Sequence, residues 1–324
     1  MSSGKKPVII LTGPTSVGKS KIALYLARQL SADIISADSR QIYRGMDIGT
    51  AKPAMEEMKE IRHHMVDIVD PDERFSAGRY KDMVSSIISG MHEDGMMPFI
   101  VGGTGLYIKA VVYGLWEGPS ADWDLRRRYR DMESSNGEGY LYGKLSLLDP
   151  ESARSIHPKD IAKIIRAMEV FYKTGRPLAS FHRSHSFSGN RYEPVIIGLR
   201  REREDLYRRI GRRTERMIEE GLIDEVRALL DKGYGEDLGA MKGLGYKQIL
   251  DYLGGRCTID EAIGLIKRDT RRYAKRQFTW FNRDRSIRWI DIDEGEAESV
   301  TFEKIMELLA GMVDIGYIKE RSRR

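Results

Sequence analysis

The sequence predicts an α/β protein in which a parallel sheet is flanked by helices and interrupted by an inserted helical module. Short apolar runs rich in β-branched residues alternate with helical patterns along the chain, which is typical of a parallel sheet. The first run, over 7–12, leads through a glycine-rich turn directly into a helical pattern over 19–30. A polar stretch over 116–193, rich in tyrosine and arginine, shows no strand pattern, and a core strand pattern follows it. These observations together predict the fold class.

The remaining core elements follow in chain order. Further strands are predicted over 33–37, 98–101, 194–199 and 287–292. Further helices are predicted over 80–91, 203–232, 245–253 and 259–281. Because strand patterns stand on both sides of the polar stretch, we expect one sheet to resume after it. The chain is therefore expected to form a catalytic core from residues 1–115 and 194–324, with a helical insertion over 116–193.

Composition indicates a globular protein that stays inside the cell. Of its 324 residues, 41% are hydrophobic and 32% charged, and no run approaches the roughly 18 apolar residues of a membrane span. The amino terminus lacks the apolar stretch of a signal peptide, so a cytoplasmic protein without a membrane partner is expected. Cys257 is the only cysteine, which excludes an internal disulfide and a cysteine-ligated zinc site. The net charge of +5 is compatible with nucleic acid but not specific for it.

The glycine-rich turn fits the phosphate-binding pattern G-x-x-x-x-G-K-[ST]. It consists of Gly13, Pro14, Thr15, Ser16, Val17, Gly18, Lys19 and Ser20. Its glycines let backbone N–H groups point at phosphate oxygens, and the following helix adds the positive end of its dipole. Lys19 supplies a positive charge, and the Ser20 hydroxyl can bind a Mg²⁺ that bridges phosphate oxygens. The turn therefore predicts a P-loop NTPase-like fold that binds a diphosphate.

Polar residues also follow two other predicted strands. Asp38 ends the strand over 33–37, and the strand over 98–101 runs into Gly-Gly-Thr104 without the acidic residue that holds Mg²⁺ in nucleotide-hydrolysing P-loop enzymes. Because ligands bind outside the carboxyl ends of parallel strands, Asp38 and Thr104 are expected beside the P-loop. Asp38 could hold a metal, accept a proton from a nucleophile, or only cap the following turn.

A series of short motifs extends over nearly the whole chain. They read, in order, Gly13-Pro-Thr-Ser-Val-Gly-Lys-Ser20, Asp38-Ser-Arg-Gln-Ile-Tyr43, Gly49-Thr-Ala-Lys-Pro53, His63-His-Met-Val-Asp-Ile-Val-Asp-Pro71, Gly102-Gly-Thr-Gly-Leu-Tyr107, Ile156-His-Pro158, Arg166-Ala-Met-Glu-Val-Phe171, Gly245-Tyr-Lys-Gln248 and Ala274-Lys-Arg-Gln-Phe-Thr-Trp280. In this order the motifs resemble those of the tRNA dimethylallyltransferases, the isopentenylating enzymes of bacterial tRNA. A single motif could mislead, but the series is difficult to produce otherwise.

The resemblance implies a reaction and its donor site. A dimethylallyl group would pass from dimethylallyl diphosphate to the exocyclic N6 amine of the adenine that is 3′-adjacent to the anticodon, without consumption of ATP. The P-loop would hold the diphosphate of the donor, which explains why no second acidic residue is needed. Thr15, Lys19 and Ser20 would serve the diphosphate and its Mg²⁺.

The resemblance also implies roles at the acceptor. Asp38 would be the general base or hydrogen-bond acceptor at the adenine amine, and Thr104 would lie at the reaction channel. An arginine on the helix after residue 199 would contact the leaving diphosphate, and Arg209 and Arg213 both fit that role.

Basic doublets recur along the helix predicted over 259–281. They are Lys267-Arg268, Arg271-Arg272 and Lys275-Arg276, spaced four apart on a helix face about 12 Å long. Like charges at this spacing cost a helix about 0.2 to 0.5 kcal/mol per pair, which an RNA backbone would offset. The alternative is a solvated face partly neutralised by Asp269 and Asp284.

The resemblance and these charges together predict contacts with the anticodon stem-loop of tRNA. The predicted contacts are Asp38, Ser39, Arg40, Gln41, Thr104, Arg126, Lys163, Arg166, Lys242, Gly245, Tyr246, Arg271, Arg272, Lys275 and Arg276. A stacked adenine must leave its loop to reach the diphosphate, so base flipping is expected, with Arg126 and Thr104 near the vacated position.

Two other functions are compatible with the P-loop. A small-molecule kinase would use Asp38 as base or metal ligand, and an adenylate dimethylallyltransferase would prenylate a free nucleotide. The insertion and the basic helix favour a large anionic substrate over both. The expected cofactor is Mg²⁺, and the expected state is a monomer.

Overall fold

The computed structural model describes residues 5–116, 118–184 and 191–312. The chain divides into two compact units, one formed by residues 1–112 and 191–324 and the other by residues 113–190. From the sequence, the edges of the insertion were expected at 116 and 193.

The first unit contains a six-stranded sheet, in which every pair of neighbouring strands is parallel. The strands are β1 (Lys6–Thr12), β2 (Ile34–Ala37), β3 (His63–His64), β4 (Phe99–Gly102), β5 (Tyr192–Arg200) and β6 (Arg288–Asp291). Their order is β3-β2-β4-β1-β5-β6, with helices around the sheet, which confirms the predicted fold class. Because β1 lies between β4 and β5, the carboxyl ends of these three strands meet.

Helices of this unit largely follow the predicted order. They are α1 (Lys19–Leu30), α2 (Met55–Glu60), α3 (Ala77–Glu93), α4 (Gly105–Tyr113), α10 (Arg203–Glu219), α11 (Leu222–Asp231), α12 (Tyr246–Leu253), α13 (Ile259–Phe281) and α14 (Glu298–Ala310). The stretch predicted to be helical over 203–232 forms two helices, because Gly221 adopts φ +99° and separates α10 from α11. Helices α2, α4 and α14 and the two-residue strand β3 were not predicted, since their patterns are short or weakly periodic.

The core of the sheet explains why its strands read as continuous apolar runs. Ile9 and Ile10 are both fully buried although their side chains point to opposite faces, because helices cover the sheet on both sides. Ile9 packs in one cluster with residues of α1, α10 and α14, including Leu26, Ile210 and Leu309. This packing holds α1 and α10 beside the carboxyl end of β1.

The second unit is helical. Its helices are α5 (Trp123–Asn136), α6 (Tyr140–Leu148), α7 (Pro150–Ser155), α8 (Ile161–Thr174) and α9 (Leu178–Ser184). Its described residues, within 113–116 and 118–184, contain no strand. Leu141, Leu145, Ile164 and Met168 form a core of its own. The stretch therefore has the helical character that its polar sequence predicts.

Within the ranges 5–116, 118–184 and 191–312, no helix combines the length and the apolar character that a bilayer-spanning segment needs.

Candidate active site

The P-loop joins β1 to α1 with a backbone that requires glycine. Gly13 has φ +139°, and a Cβ there would lie 2.6 Å from the carbonyl oxygen of Leu199. The Lys19 ammonium donates to the carbonyl oxygens of Gly13 at 2.9 Å and Pro14 at 2.8 Å. Ser20 is exposed in the first turn of α1, where the helix presents unpaired N–H groups. The loop thus has the form that cradles a phosphate.

Three arginines bind successive residues of this loop. Arg213 donates from Nη1 to the Thr15 hydroxyl at 3.1 Å, and Arg209 donates from Nε to the Ser16 carbonyl oxygen at 2.9 Å. Arg201 donates from Nε to the Val17 carbonyl oxygen at 2.9 Å and is held in turn by Asp205. Arg209 and Arg213, between which the sequence could not decide, therefore both lie on the P-loop.

Arg201 was not among the site residues predicted from the sequence. It follows β5, the strand that pairs with β1, so its position just beyond a carboxyl strand end was the available signal.

Positive charge accumulates at the loop. The pKa of Lys19 is lowered to about 7, mainly by burial. The negative charge of Asp38 acts to raise this pKa, whereas the positive charge of Arg213 acts to lower it. Burial also lowers the pKa of Arg213, again against the attraction of Asp38. Cations held in this way favour an anionic ligand, since a diphosphate would restore the electrostatic balance of the site.

Asp38 and Thr104 lie on the ends of neighbouring strands. The Thr104 hydroxyl oxygen accepts a hydrogen bond from the Ser39 N–H at 3.0 Å, and the Thr104 N–H donates to the Ala37 carbonyl oxygen at 3.0 Å. Asp38 Oδ1 accepts from the Arg40 N–H at 2.8 Å, which is the turn-capping geometry considered from the sequence. The cap occupies one carboxylate oxygen. Asp38 therefore combines a structural contact with a place beside Lys19.

Gln277 connects the P-loop to the end of β4. The Thr15 N–H donates to its Oε1 at 2.9 Å, and its Nε2 donates to the Gly103 carbonyl oxygen at 2.9 Å. The side chain is buried, with 7% exposed. From the sequence, Gln277 was only part of a motif without a predicted role, because a helical pattern does not indicate which loops a buried amide side chain contacts.

Several residues that were predicted to contact RNA form hydrogen bonds within the protein instead. Tyr246 is 1% exposed and its hydroxyl donates to Glu225 at 2.6 Å, so its predicted contact with RNA was wrong and its role is structural. Arg40 donates to the Gly239 carbonyl oxygen at 2.8 Å. Gln41 likewise donates to the Ala51 carbonyl oxygen at 3.1 Å. These residues fix the loops next to Asp38.

Gly245 and Lys242 lie beside the start of α12. Gly245 begins the helix with φ +88°, and its N–H donates to Gln248 at 3.0 Å. Lys242 is exposed and lines a depression of about 230 Å³ with Lys247, Arg272 and other residues. Of this pair, only Lys242 offers a charge to a ligand.

The basic doublets of α13 do not form one face of six free cations. Lys267 pairs with Glu215 at 2.6 Å, and Asp269 accepts from Arg268 at 2.9 Å. Asp269 also lies 3.6 Å from Arg272, and Arg271 lies over the ring of Tyr207 at 5.2 Å. Adjacent residues point to different sides of a helix, so each doublet is split. Exposed charge remains on Arg268 and Arg272, which share Asp269, and on Lys275 and Arg276.

The predicted RNA contacts of the insertion are engaged within their own unit. Arg126 donates to the fully buried Glu169 at 2.7 Å, and Arg166 donates to the same carboxylate. Burial pushes the pKa of Glu169 up, but hydrogen bonds from Arg126, the Asp122 N–H and Arg166 outweigh it and leave the pKa lowered. Lys163 pairs with Asp160 at 2.6 Å and stays largely exposed.

Metal binding would depend on the ligand. Among the residues that the structure describes, no three or more His, Cys, Asp or Glu side chains are grouped so that they could hold a metal ion. Mg²⁺ commonly binds through one or two protein oxygens together with substrate phosphates and water, and the exposed Ser20 hydroxyl at the start of α1 fits that pattern.

The comparisons with known proteins agree with one another. The family model described as IPP transferase matches residues 41–284. A protein of Geotalea uraniireducens named tRNA dimethylallyltransferase 2 is 49% identical over 293 residues, covering 90% of this chain and 94% of the relative. The tRNA dimethylallyltransferase of Geobacter sulfurreducens is 46% identical over 290 residues, covering 90% of this chain and 93% of the relative.

Solved structures give the same result. The tRNA isopentenylpyrophosphate transferase of Bacillus halodurans is 41% identical with a TM-score of 0.70, covering 98% of each chain. A eukaryotic dimethylallyltransferase described as acting on tRNA is 26% identical with a TM-score of 0.79, covering 94% of this chain and 80% of the other.

Proposed function

This chain belongs to the IPP transferase family, and we propose on that premise that it transfers a dimethylallyl group from dimethylallyl diphosphate to the N6 amine of a tRNA adenine. We assign the adenine 3′-adjacent to the anticodon as the acceptor. The proposal rests on one observation, that the P-loop with Lys19 and Arg213 lies beside the strand ends that carry Asp38 and Thr104. One crevice can therefore hold a prenyl diphosphate and a nucleophile together.

The donor half of the reaction depends on stabilising the leaving group. As the bond between the dimethylallyl carbon and its bridging oxygen breaks, negative charge grows on the diphosphate. Backbone N–H groups of the P-loop, Lys19 and Arg213 are placed to bind that charge. A Mg²⁺ ion held by the Ser20 hydroxyl and phosphate oxygens would supply further positive charge there.

The acceptor half requires orientation and removal of a proton. The adenine amine is a weak nucleophile, so most of the rate enhancement is assigned to the leaving group and to positioning. As N6 bonds to the dimethylallyl carbon, Asp38 accepts one amine proton through the carboxylate oxygen that does not cap the turn. Thr104 lies next to it and orients the amine.

The substrate is assigned as the anticodon stem-loop, with the target base flipped out of its stack. Exposed cations on Arg272, Lys275 and Arg276 of α13 and on Lys163 of the insertion support an RNA partner. Arg126 and Arg166 both bind Glu169, so we assign them a structural role within the insertion and no direct contact with RNA. We further propose a cytoplasmic monomer.

The test compares acceptors directly. Labelled dimethylallyl diphosphate and Mg²⁺ are incubated with an anticodon stem-loop, with AMP, or with no acceptor, and ATP turnover is measured in parallel. Label should enter the stem-loop, and Asp38→Asn should reduce transfer strongly while Asp94→Asn, at the distant end of α3, should not. Label entering only AMP would indicate the nucleotide prenyltransferase, and ATP turnover without transfer would indicate the kinase.

A further inference from the structure

Trp280 is a large aromatic residue that the fold leaves exposed. It lies in the last turn of α13, one residue before the buried Phe281, and 44% of its surface is open to solvent. Its indole packs against the backbone of Gly105, because a Cβ on that glycine would lie 2.2 Å from the indole Nε1. Glycine therefore permits the close approach that fixes the ring. The rest of the ring faces outward as a rigid apolar surface.

The indole lies next to the proposed acceptor site. Gly105 directly follows Thr104, whose hydroxyl binds the Ser39 N–H beside Asp38. On the same helix, Tyr273 forms a side-chain hydrogen bond with Thr104, and burial together with Asp38 raises the pKa of Tyr273 to about 12. Helix α13 thus lines one side of the acceptor site and carries Trp280 at its rim.

Cations surround the exposed ring. Together with Trp280, an open depression of about 490 Å³ is lined by Arg272, Lys275, Arg276, Thr279 and Arg283. The lining contains four cations and no carboxylate. An aromatic face inside a positively charged groove is the arrangement that binds single-stranded nucleic acid, because the cations follow the backbone while the ring stacks on a base.

We propose that Trp280 stacks on the base of a nucleotide adjacent to the reacting adenine, while Arg272, Lys275 and Arg276 bind the neighbouring phosphates. This inference rests on the proposed function. An adenine that leaves its stack deprives its neighbours of a stacking partner, which opposes flipping. The indole face replaces that partner and lowers the cost of flipping. Trp280 is therefore a positioning residue for the RNA.

The experiment measures RNA affinity for protein variants and for altered RNAs. Wild type, Trp280→Phe and Trp280→Ala are compared with Tyr25→Ala, since Tyr25 on α1 is 43% exposed and packs beside Phe302, away from α13. Each is titrated with an anticodon stem-loop and with stem-loops abasic at the 5′ or the 3′ neighbour of the target adenine.

The expected result is specific to one neighbouring base. Trp280→Ala should bind the intact stem-loop about 5- to 150-fold more weakly, Trp280→Phe should lose less, and Tyr25→Ala should match wild type. One abasic stem-loop should weaken wild type by a similar factor, and Trp280→Ala should cause no further loss on that RNA. The KM for dimethylallyl diphosphate should stay unchanged.

Other outcomes contradict the inference in distinguishable ways. If Trp280→Ala binds every RNA with the affinity of wild type and still transfers the dimethylallyl group to RNA, Trp280 does not stack on RNA. Its exposed ring would then indicate a protein partner. Equal losses on all three RNAs would indicate a general effect on the fold. If wild type transfers no dimethylallyl group to RNA, the proposed function itself fails. Should Trp280→Ala not fold, Trp280→Phe and the abasic series with wild type decide the question.

Discussion

The backbone N–H of Thr15 donates to Oε1 of Gln277 at 2.9 Å, although the two residues lie 262 positions apart in the chain. The same side chain donates to the Gly103 carbonyl oxygen at 2.9 Å. One buried amide therefore sets the separation between the diphosphate loop and the strand end that precedes Thr104. Because donor and acceptor must approach at bonding distance, that separation bears directly on the rate.

Replacing Gln277 by leucine should impair both stability and donor use. The change removes two hydrogen bonds and leaves the Thr15 N–H and the Gly103 carbonyl without their partner, at a cost of about 1 to 3 kcal/mol in the free energy of unfolding. A displacement of the loop by about 1 Å should lower kcat/KM for dimethylallyl diphosphate by about 100-fold. Urea unfolding and steady-state kinetics measure the two effects.

Gln248 provides the matched control. It is also buried, and its amide also bonds on both sides, accepting from the Gly245 N–H at 3.0 Å and donating to Asp269 at 3.0 Å. Gln248→Leu should cost similar stability but leave the KM for dimethylallyl diphosphate near that of wild type. Equal kinetic losses in the two variants would show that Gln277 acts only through general stability.

Substituting Arg213 should affect the chemical step. Arg213→Gln removes a half-buried cation from the P-loop, where we propose that it binds the leaving diphosphate, and loss of one such donor typically lowers kcat by about 100- to 1000-fold. The neighbouring Arg212 is exposed. Arg212→Gln changes the net charge by the same amount as Arg213→Gln, but it should leave single-turnover rates almost unchanged. A similar fall in both variants would assign the effect to overall charge.

The depressed pKa of Lys19 predicts that donor affinity depends on pH. In the free protein the pKa is about 7, and a bound diphosphate favours the charged form, so binding above that pH takes up a proton. Affinity should therefore fall as the pH rises from about 7 towards 10. Calorimetry in buffers of different ionisation enthalpy would detect the proton uptake at pH 8. Lys19→Met should abolish this uptake, and uptake that persists in the variant would assign it to another group.

Glu169 should control the stability of the insertion at low pH. Removing the carboxylate charge leaves Arg126 and Arg166 without their shared partner, and breaking such a buried pair typically costs about 3 to 5 kcal/mol. Because the folded pKa of Glu169 is lowered, its contribution is present at neutral pH and is lost as the pH falls below its ordinary value. Glu169→Gln should lower the urea midpoint at pH 7, with a smaller difference from wild type under acidic conditions.

The same substitution at an exposed glutamate is the control for Glu169→Gln. Glu138 is exposed and pairs with Lys159 at 2.8 Å, so Glu138→Gln should change the urea midpoint very little. A midpoint for Glu169→Gln equal to that of wild type at pH 7 would contradict a structural role for the pair of arginines.

Local sequence patterns predicted the parts of the site whose positions follow from the order of strands and turns along the chain. The P-loop and the neighbouring positions of Asp38 and Thr104 follow from strand ends in a parallel sheet, so the sequence suffices for them. Gln277 was missed because its partners are backbone groups, which carry no sequence signal. Arg201 was missed although it directly follows the carboxyl end of β5, the one signal that its sequence position offers. Tyr246 was misassigned for the converse reason, since a motif does not show which of its side chains is buried.

The strand order also determines when the donor site can first exist during synthesis. The P-loop is made before β5, yet β1 pairs along its whole length with β5, which is translated only after the complete insertion. Arg213 follows later still, and Gln277 comes after it on α13. A nascent chain therefore carries an unfinished loop until α13 has been made. Prenyl diphosphate should begin to protect the protein from proteolysis only once α13 has emerged from the ribosome.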